Sequence, residues 1–250
     1  MSVIEEIQTA VASIAESAGP SIVGIGRGTR GSGVVLASGK VLTNAHNLRG
    51  DEVTVTFADG RRTRGTVAGW DGDGDLAVID VDTAGATPLE WADGASLTVG
   101  SAVFGAGASH GGGTRVTFGL VSAVARAFRG PGGRKIDGSV EHTAPLAPGS
   151  SGGALLDANG ELVGLNTNRI GEGFYLALPA DAAGATTIEA YTVMHSREGL
   201  PEQVIATCIL EDGRRAWGTS TDHDTAAALC DGEWVGRDVV LDADGTLHIA

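Results

Sequence analysis

The sequence predicts an all-β protein: two small six-stranded barrels behind one N-terminal helix, followed by a small separate β domain. Three observations carry this. Glycine makes up 40 of 250 residues while aromatics reach only 4% and methionines number two, a composition suited to short strands and tight turns rather than to a helical bundle. Short runs rich in Val, Leu and Thr, bounded by Gly, Asp or Asn, fall into two sets of about six each. Only two cysteines occur, Cys208 and Cys230, so no disulfide framework stands in for a core, and the chain is long enough to bury a sizeable one.

Taken in order, residues 2–18 place Val3, Ile4, Ile7, Val11, Ile14, Ala15 and Ala18 at helical spacing, from Ser2 to a stop at Gly19-Pro20. This helix fits packing on the body first and contact with a second copy, a homo-oligomer, second. The first barrel, residues 19–98, takes its strands from residues 21–26, 31–36, 41–43, 52–57, 62–70 and 76–81, with a hairpin turn at Ala58-Asp59-Gly60. The second, residues 99–184, takes them from 102–105, 115–126, 135–142, 154–156, 162–166 and 174–178, with an exposed loop tip at Phe128-Arg129-Gly130-Pro131-Gly132-Gly133. After an Ala/Gly/Thr-rich connection over 180–187, residues 187–250 form the small β domain. Its strands are expected at 191–194, 202–210, 214–218, 239–241 and 246–249, and a short helix at 222–230.

A net charge of -14 and a pI near 4.7 argue against nucleic acid as a partner, since phosphate tracking needs clustered Lys and Arg. The first 26 residues carry Glu5 and Glu6 where a signal peptide has a basic start, and no apolar run reaches the length of a membrane span. The expectation from this is a cytoplasmic location. No metal or cofactor is expected. Asp71-Gly72-Asp73-Gly74-Asp75 imitates a calcium loop but has Leu76 where that loop needs glycine. Cys208, His223 and Cys230 lack zinc-site spacing and read as buried thiols and a bystander.

The chemistry concentrates in Pro148-Gly149-Ser150-Ser151-Gly152-Gly153, which runs into the apolar Ala154-Leu155-Leu156. Glycines free the backbone to turn NH groups toward a ligand atom while a serine hydroxyl stands exposed. A hydroxyl needs a base, and the base needs a group to fix its tautomer. His46 ends the apolar stretch Val41-Leu42-Thr43 between small residues, and Asp75 heads Leu76-Ala77-Val78-Ile79. The loop also satisfies the G-x-S-x-G nucleophile elbow. That elbow requires a strand before the serine, a helix after it and Asp then His downstream, whereas Asp157-Ala158-Asn159-Gly160 turns the chain within a few residues.

The order His46, Asp75, Ser151 resembles the chymotrypsin-like serine proteases, and within them the HtrA (DegP-type) branch. The resemblance rests on Gly31-Ser32-Gly33-Val34-Val35, Leu42-Thr43-Asn44-Ala45-His46, Asp75-Leu76-Ala77-Val78-Ile79, Gly119-Leu120-Val121-Ser122-Ala123-Val124, the loop at Ser151, and Gly164-Leu165-Asn166-Thr167, over roughly residues 15–182. It implies a serine endopeptidase acting on polypeptide, with Ser151 as nucleophile, His46 as base and Asp75 orienting it. The oxyanion hole would lie at Gly149, Ser150 and Ser151, its amide donors coming from Gly149 and Ser151 at about 3 kcal/mol each.

The resemblance also implies a substrate pocket lined by Thr143, Leu146, Gly164, Leu165 and Asn166, near Phe174; none is acidic, which favours a small or medium apolar side chain. Ser150 stands where the family usually has Asn or Asp, and Pro145 precedes the loop. An oxyanion loop that switches, or a protease fold that binds without cutting, is the alternative. Residues 187–250 resemble the small OB-like domain appended to some thiolase-like proteins, on Tyr191-Thr192-Val193-Met194-His195, Asp212-Gly213-Arg214-Arg215-Ala216-Trp217 and Val235-Gly236-Arg237-Asp238-Val239. That likeness brings no catalytic motif, and the domain's partner stays unassigned.

Overall fold

A computed structural model describes residues 2–71, 74–83, 85–92, 97–129, 135–170, 173–179, 184–196, 199–210, 215–241 and 246–249. The chain divides into two compact units. One holds residues 1–90 and 97–178, the other residues 91–96 and 179–250.

In the first unit, helix α1 (Val3–Ser17) opens on a capping box: the Ser2 hydroxyl accepts from the Glu5 amide and the Glu5 carboxylate accepts from the Ser2 amide. The helix packs on the body through Ile14 and the following Ala18, both buried, while Val3 and Ile4 are exposed. It ends where Gly19-Pro20-Ser21 tightens into a 3-10 turn.

Twelve strands follow: β1 (Ile22–Ile25), β2 (Gly31–Ala37), β3 (Lys40–Thr43), β4 (Glu52–Thr56), β5 (Arg62–Asp71), β6 (Leu76–Asp80), β7 (Ala102–Ala108), β8 (Thr114–Arg129), β9 (Lys135–His142), β10 (Ala154–Leu156), β11 (Leu162–Ile170) and β12 (Phe174–Pro179). They close into two antiparallel barrels of the same connectivity, β1-β2-β3-β6-β5-β4 and β7-β8-β9-β12-β11-β10. Each expected strand is present; the second-barrel strands β7, β8 and β11 run longer than their apolar cores suggest. The first barrel is filled by β-branched side chains, Val23, Ile25, Val35, Val41, Val55 and Ile79 among them. In the second, Ile136, Leu155, Leu162 and Leu176 are fully buried. The expected turn at residues 58–60 forms, with Gly60 at φ +86° and Asp59 accepting from the Arg61 amide. Phe128 and Arg129 belong to β8, and the rest of the expected loop tip lies outside the described residues.

The second unit is a five-stranded sheet: β13 (Gly184–His195), β14 (Pro201–Leu210), β15 (Arg215–Ser220), β16 (Asp238–Leu241) and β17 (Leu247–Ile249), with helix α2 (His223–Cys230) between β15 and β16. The order is β15-β14-β13-β16-β17, and a parallel bridge from Thr219 to Thr246 joins the two edges. Five strands bent into a partly open barrel, with a helix before the fourth, make the OB-like arrangement. Its first strand begins at Gly184, within the stretch expected as a connection. Ile188, Val204, Cys208, Leu229, Val239, Leu241 and Leu247 form its core. Cys208 is buried as expected, but Cys230 is exposed. The buried face of α2 is Thr225, Ala226 and Leu229. Cys230, one position on from Leu229, turns outward, where its thiol lies 3.4 Å from His195 Nε2.

Candidate active site

Between β3 and β4 the chain makes a 3-10 turn over Ala45–Asn47, which carries His46. Two interactions fix that turn to the residue heading β6: Ala45 N and Asn44 Nδ2 both donate to the Asp75 carbonyl, at 3.1 and 3.0 Å. Asp75 takes φ +60°, a conformation costly for most residues and tolerated best by Asp and Asn. The strained backbone aims its buried carboxylate back at the turn. There the His46 amide donates to Oδ1 at 3.0 Å, and His46 Nδ1 lies 2.9 and 2.7 Å from the two oxygens. From the far side, Thr167 Oγ1 on β11 donates to Oδ2 at 2.9 Å. A carboxylate only accepts, so Nδ1 carries a proton, and in the neutral ring Nε2 keeps its lone pair.

Ser151 sits on the loop between β9 and β10. Its carbonyl accepts from Ser32 N at 2.8 Å and from Asn47 Nδ2 at 2.9 Å, so the loop is held by β2 and by the residue next to His46. Ser32 contributes twice, since its hydroxyl donates to the Gly149 carbonyl at 2.7 Å while accepting from Ala108 N at 2.9 Å. Glycine is required at two places. Gly149 has φ +88° and Gly152 φ +84°, and a Cβ at Gly152 would lie 2.2 Å from the Ser32 carbonyl.

The Ser151 hydroxyl donates to the Thr167 carbonyl at 2.9 Å rather than to His46. One residue of β11 thus holds Asp75 through its side chain and Ser151 through its backbone. The expected oxyanion residues separate into two kinds. The Ser150 amide is committed to the Ala147 carbonyl at 3.1 Å, so that amide does not point into the cleft as a free donor. Among the described residues the amides of Gly149 and Ser151 have no protein acceptor. Pro145, flanking the loop, is anchored through its carbonyl by Thr117 Oγ1 at 2.7 Å.

Beside Ser151 lies a cavity of about 160 Å³ walled by Leu146, Ala147, Pro148, Asn166, Thr167 and Tyr175. Of the expected pocket residues, Leu146 and Asn166 line it. Thr143, Gly164 and Leu165 do not: Leu165 is buried in the core, Thr143 bonds the Leu120 amide, and a Cβ at Gly164 would meet the Leu178 carbonyl. Tyr175 takes the place expected near Phe174, which is exposed.

Behind this wall His142 is fully buried, stacked on Tyr175 at 5.8 Å, with Nε2 3.0 Å from Asn166 Oδ1. Asn166 Nδ2 donates to the Ala154 carbonyl at 2.6 Å, so Oδ1 accepts and His142 Nε2 carries the proton. Its Nδ1 is buried without a partner. Burial pushes the imidazole pKa down to about 4, against a smaller opposing effect of the Asn166 bond.

Residues 31–165 match the trypsin-like peptidase domain. The chain belongs to that family. Its peptidase domain is 34% identical over 179 residues to a probable periplasmic serine protease do/HhoA-like of Haemophilus influenzae, covering 68% of this chain and 38% of that protein. It is also 34% identical over 164 residues to Protease Do-like 1, chloroplastic, of Arabidopsis thaliana, covering 62% of this chain and 37% of that one. The crystal structure of Deg5 superimposes with a TM-score of 0.60 at 30% identity, over 71% of this chain and 92% of that chain. The chain therefore spans well under half the length of the two curated relatives. Residues 175–246 match the thiolase-like protein type 1 additional C-terminal domain. Relatives named periplasmic or chloroplastic do not fit the cytoplasmic expectation. Among the described residues, no helix is long and apolar enough to cross a membrane.

The peptidase site contains four residues that the sequence motifs do not single out for their contacts: Thr167, Ser32, Asn47 and His142. The first three lie in or beside quoted motifs, so their positions are signalled but their bonds are not. His142 carries no signal, since an isolated histidine before a loop reads the same whether buried or exposed.

Proposed function

We propose that the protein is a serine endopeptidase of the HtrA/DegP type, cutting exposed or unfolded polypeptide with Ser151 as nucleophile, His46 as general base and acid, and Asp75 as the residue orienting His46. The observation that carries this is the shared anchoring at Thr167, which brings the Asp75 carboxylate and the Ser151 hydroxyl to one residue while Asp75 holds His46 by its Nδ1.

In the reaction the Ser151 hydroxyl leaves the Thr167 carbonyl and gives its proton to His46 Nε2 as its oxygen bonds to the scissile carbonyl carbon. Negative charge moves to the carbonyl oxygen, where the Gly149 and Ser151 amides receive it. His46 then protonates the departing amine, and a water repeats the sequence on the acyl-enzyme. Asp75 stabilises the imidazolium without itself taking the proton.

The pocket walls of Leu146, Ala147, Pro148 and Tyr175 are uncharged, which supports cleavage after Ala, Val or Leu. Quenched peptides differing only at that residue test it: apolar side chains should be cut fastest, and equal cleavage after Lys would refute the preference. A latent resting enzyme is the second reading, favoured by the Ser151 hydroxyl lying on the Thr167 carbonyl; hydrogen bonds of this kind can tighten toward the base only when substrate binds.

A further inference from the structure

The first barrel carries another cavity, of about 270 Å³, lined by the exposed Arg27, Arg30, Arg49 and Arg64, with Asn47 and Glu52 also on its wall. The composition makes this unusual. Only 17 of 250 residues are Lys or Arg, against 31 acids, yet four of the basic ones line one hollow. Glu52, its one acid, is paired with Arg64 at 3.0 Å. Among the described residues, Arg27, Arg30 and Arg49 have no carboxylate within ion-pair distance. Three unneutralised guanidiniums in a concave surface make a receptor for carboxylates.

Its place in the fold says whose carboxylates these are. Asn47 lines the cavity, follows His46 directly, and donates to the Ser151 carbonyl at 2.9 Å. The backbone leading to β2 touches the nucleophile loop, since a Cβ at Gly149 would lie 2.8 Å from the Thr29 carbonyl and 3.7 Å from that of Arg30. The cavity beside Ser151 is built from second-barrel residues alone, and the arginine cavity from first-barrel residues alone. Asn47 links the two, lining the arginine cavity while bonding the carbonyl of Ser151, which borders the other.

We propose, resting on the endopeptidase reading, that the arginine cavity binds acidic side chains of the substrate a few residues after the scissile bond, so that the preferred substrates are polypeptides with Asp or Glu on that side. The electrostatics also fit: a protein of net charge -14 repels acidic chains in general and admits them only where it has collected its own cations.

Binding and cleavage are tested separately. The full chain carrying Ser151→Ala is titrated with fluorescein-labelled peptides that share one apolar residue before the scissile bond and carry Glu-Glu or Gln-Gln after it. The Glu peptide should bind roughly tenfold tighter at low salt, with the ratio shrinking toward one at about 0.5 M salt. Arg27→Gln with Arg49→Gln should lower the ratio, and Arg27→Glu with Arg49→Glu should turn the preference toward a Lys-Lys peptide. A ratio near one, or one indifferent to these substitutions, overturns the proposal. So does inorganic phosphate binding at the arginines without any gain for the acidic peptide. If the Ser151 protein cuts neither peptide while the binding preference and its arginine dependence hold, the endopeptidase reading falls and this site stands.

Discussion

Thr167 donates its hydroxyl to the Asp75 carboxylate at 2.9 Å while its own carbonyl accepts the Ser151 hydroxyl at the same distance. A single residue of β11 therefore ties Asp75 of the first barrel to Ser151 of the second. Thr167→Val should lower kcat by about 10- to 100-fold, the range for losing a hydrogen bond to a buried charge, with KM changed little. Thr167→Ser should retain most activity. Steady-state kinetics on one peptide decides, and equal kcat for the Val variant would show the bond idle.

Asp75→Asn tests the tautomer. Asn tolerates the positive φ of this position, so the fold should persist. An amide can no longer hold the Nδ1 proton as the carboxylate does, and kcat should fall by about 10³ to 10⁴. Circular dichroism alongside kinetics separates lost chemistry from lost structure. A loss under tenfold would contradict the role given to Asp75.

His142 makes stability depend on pH in a defined direction. Its folded pKa, about 4, lies below the ordinary 6.5. Above 6.5 both states are neutral and its contribution to stability is complete. As pH falls from 6.5 toward 4 the unfolded chain takes a proton that the folded chain refuses, and stability drops by up to about 1.4 kcal/mol per pH unit. Thermal melts between those pH values should converge less steeply for His142→Gln than for the parent. Parallel curves would show that His142 is not held neutral.

Gly152→Ala puts a methyl 2.2 Å from the Ser32 carbonyl at a backbone φ of +84°. A backbone atom cannot step aside as a side chain can, so the Ser151 loop or the start of β2 must move. The expected cost is about 2–4 kcal/mol in denaturant unfolding, together with loss of activity. An unchanged midpoint would show the loop to be looser than its hydrogen bonds indicate.

Much of this was legible in the sequence, because strands bounded by Gly, Asp and Asn announce their ends, and because His46, Asp75 and Ser151 lie in motifs whose order one fold family uses. What the residues do to one another was less so. Thr167 was readable as part of Gly164-Leu165-Asn166-Thr167, but only the folded chain brings its hydroxyl to Asp75 and its carbonyl to Ser151. The same strand explains the pocket: Leu165 is buried in the core, and it is Asn166 and Thr167 that border the cavity. His142 owes its burial to the register that pairs it with Tyr175, a cross-strand fact absent from its own neighbourhood in sequence.

The most direct test of the central claim is labelling by a fluorophosphonate, followed by mass mapping of the modified peptide, on the parent and on Ser151→Ala. The account predicts one adduct on Ser151, none in the Ala variant, and casein degradation that disappears with it. A parent that takes no label and leaves unfolded casein intact, or a variant that labels and cleaves as the parent does, would contradict it.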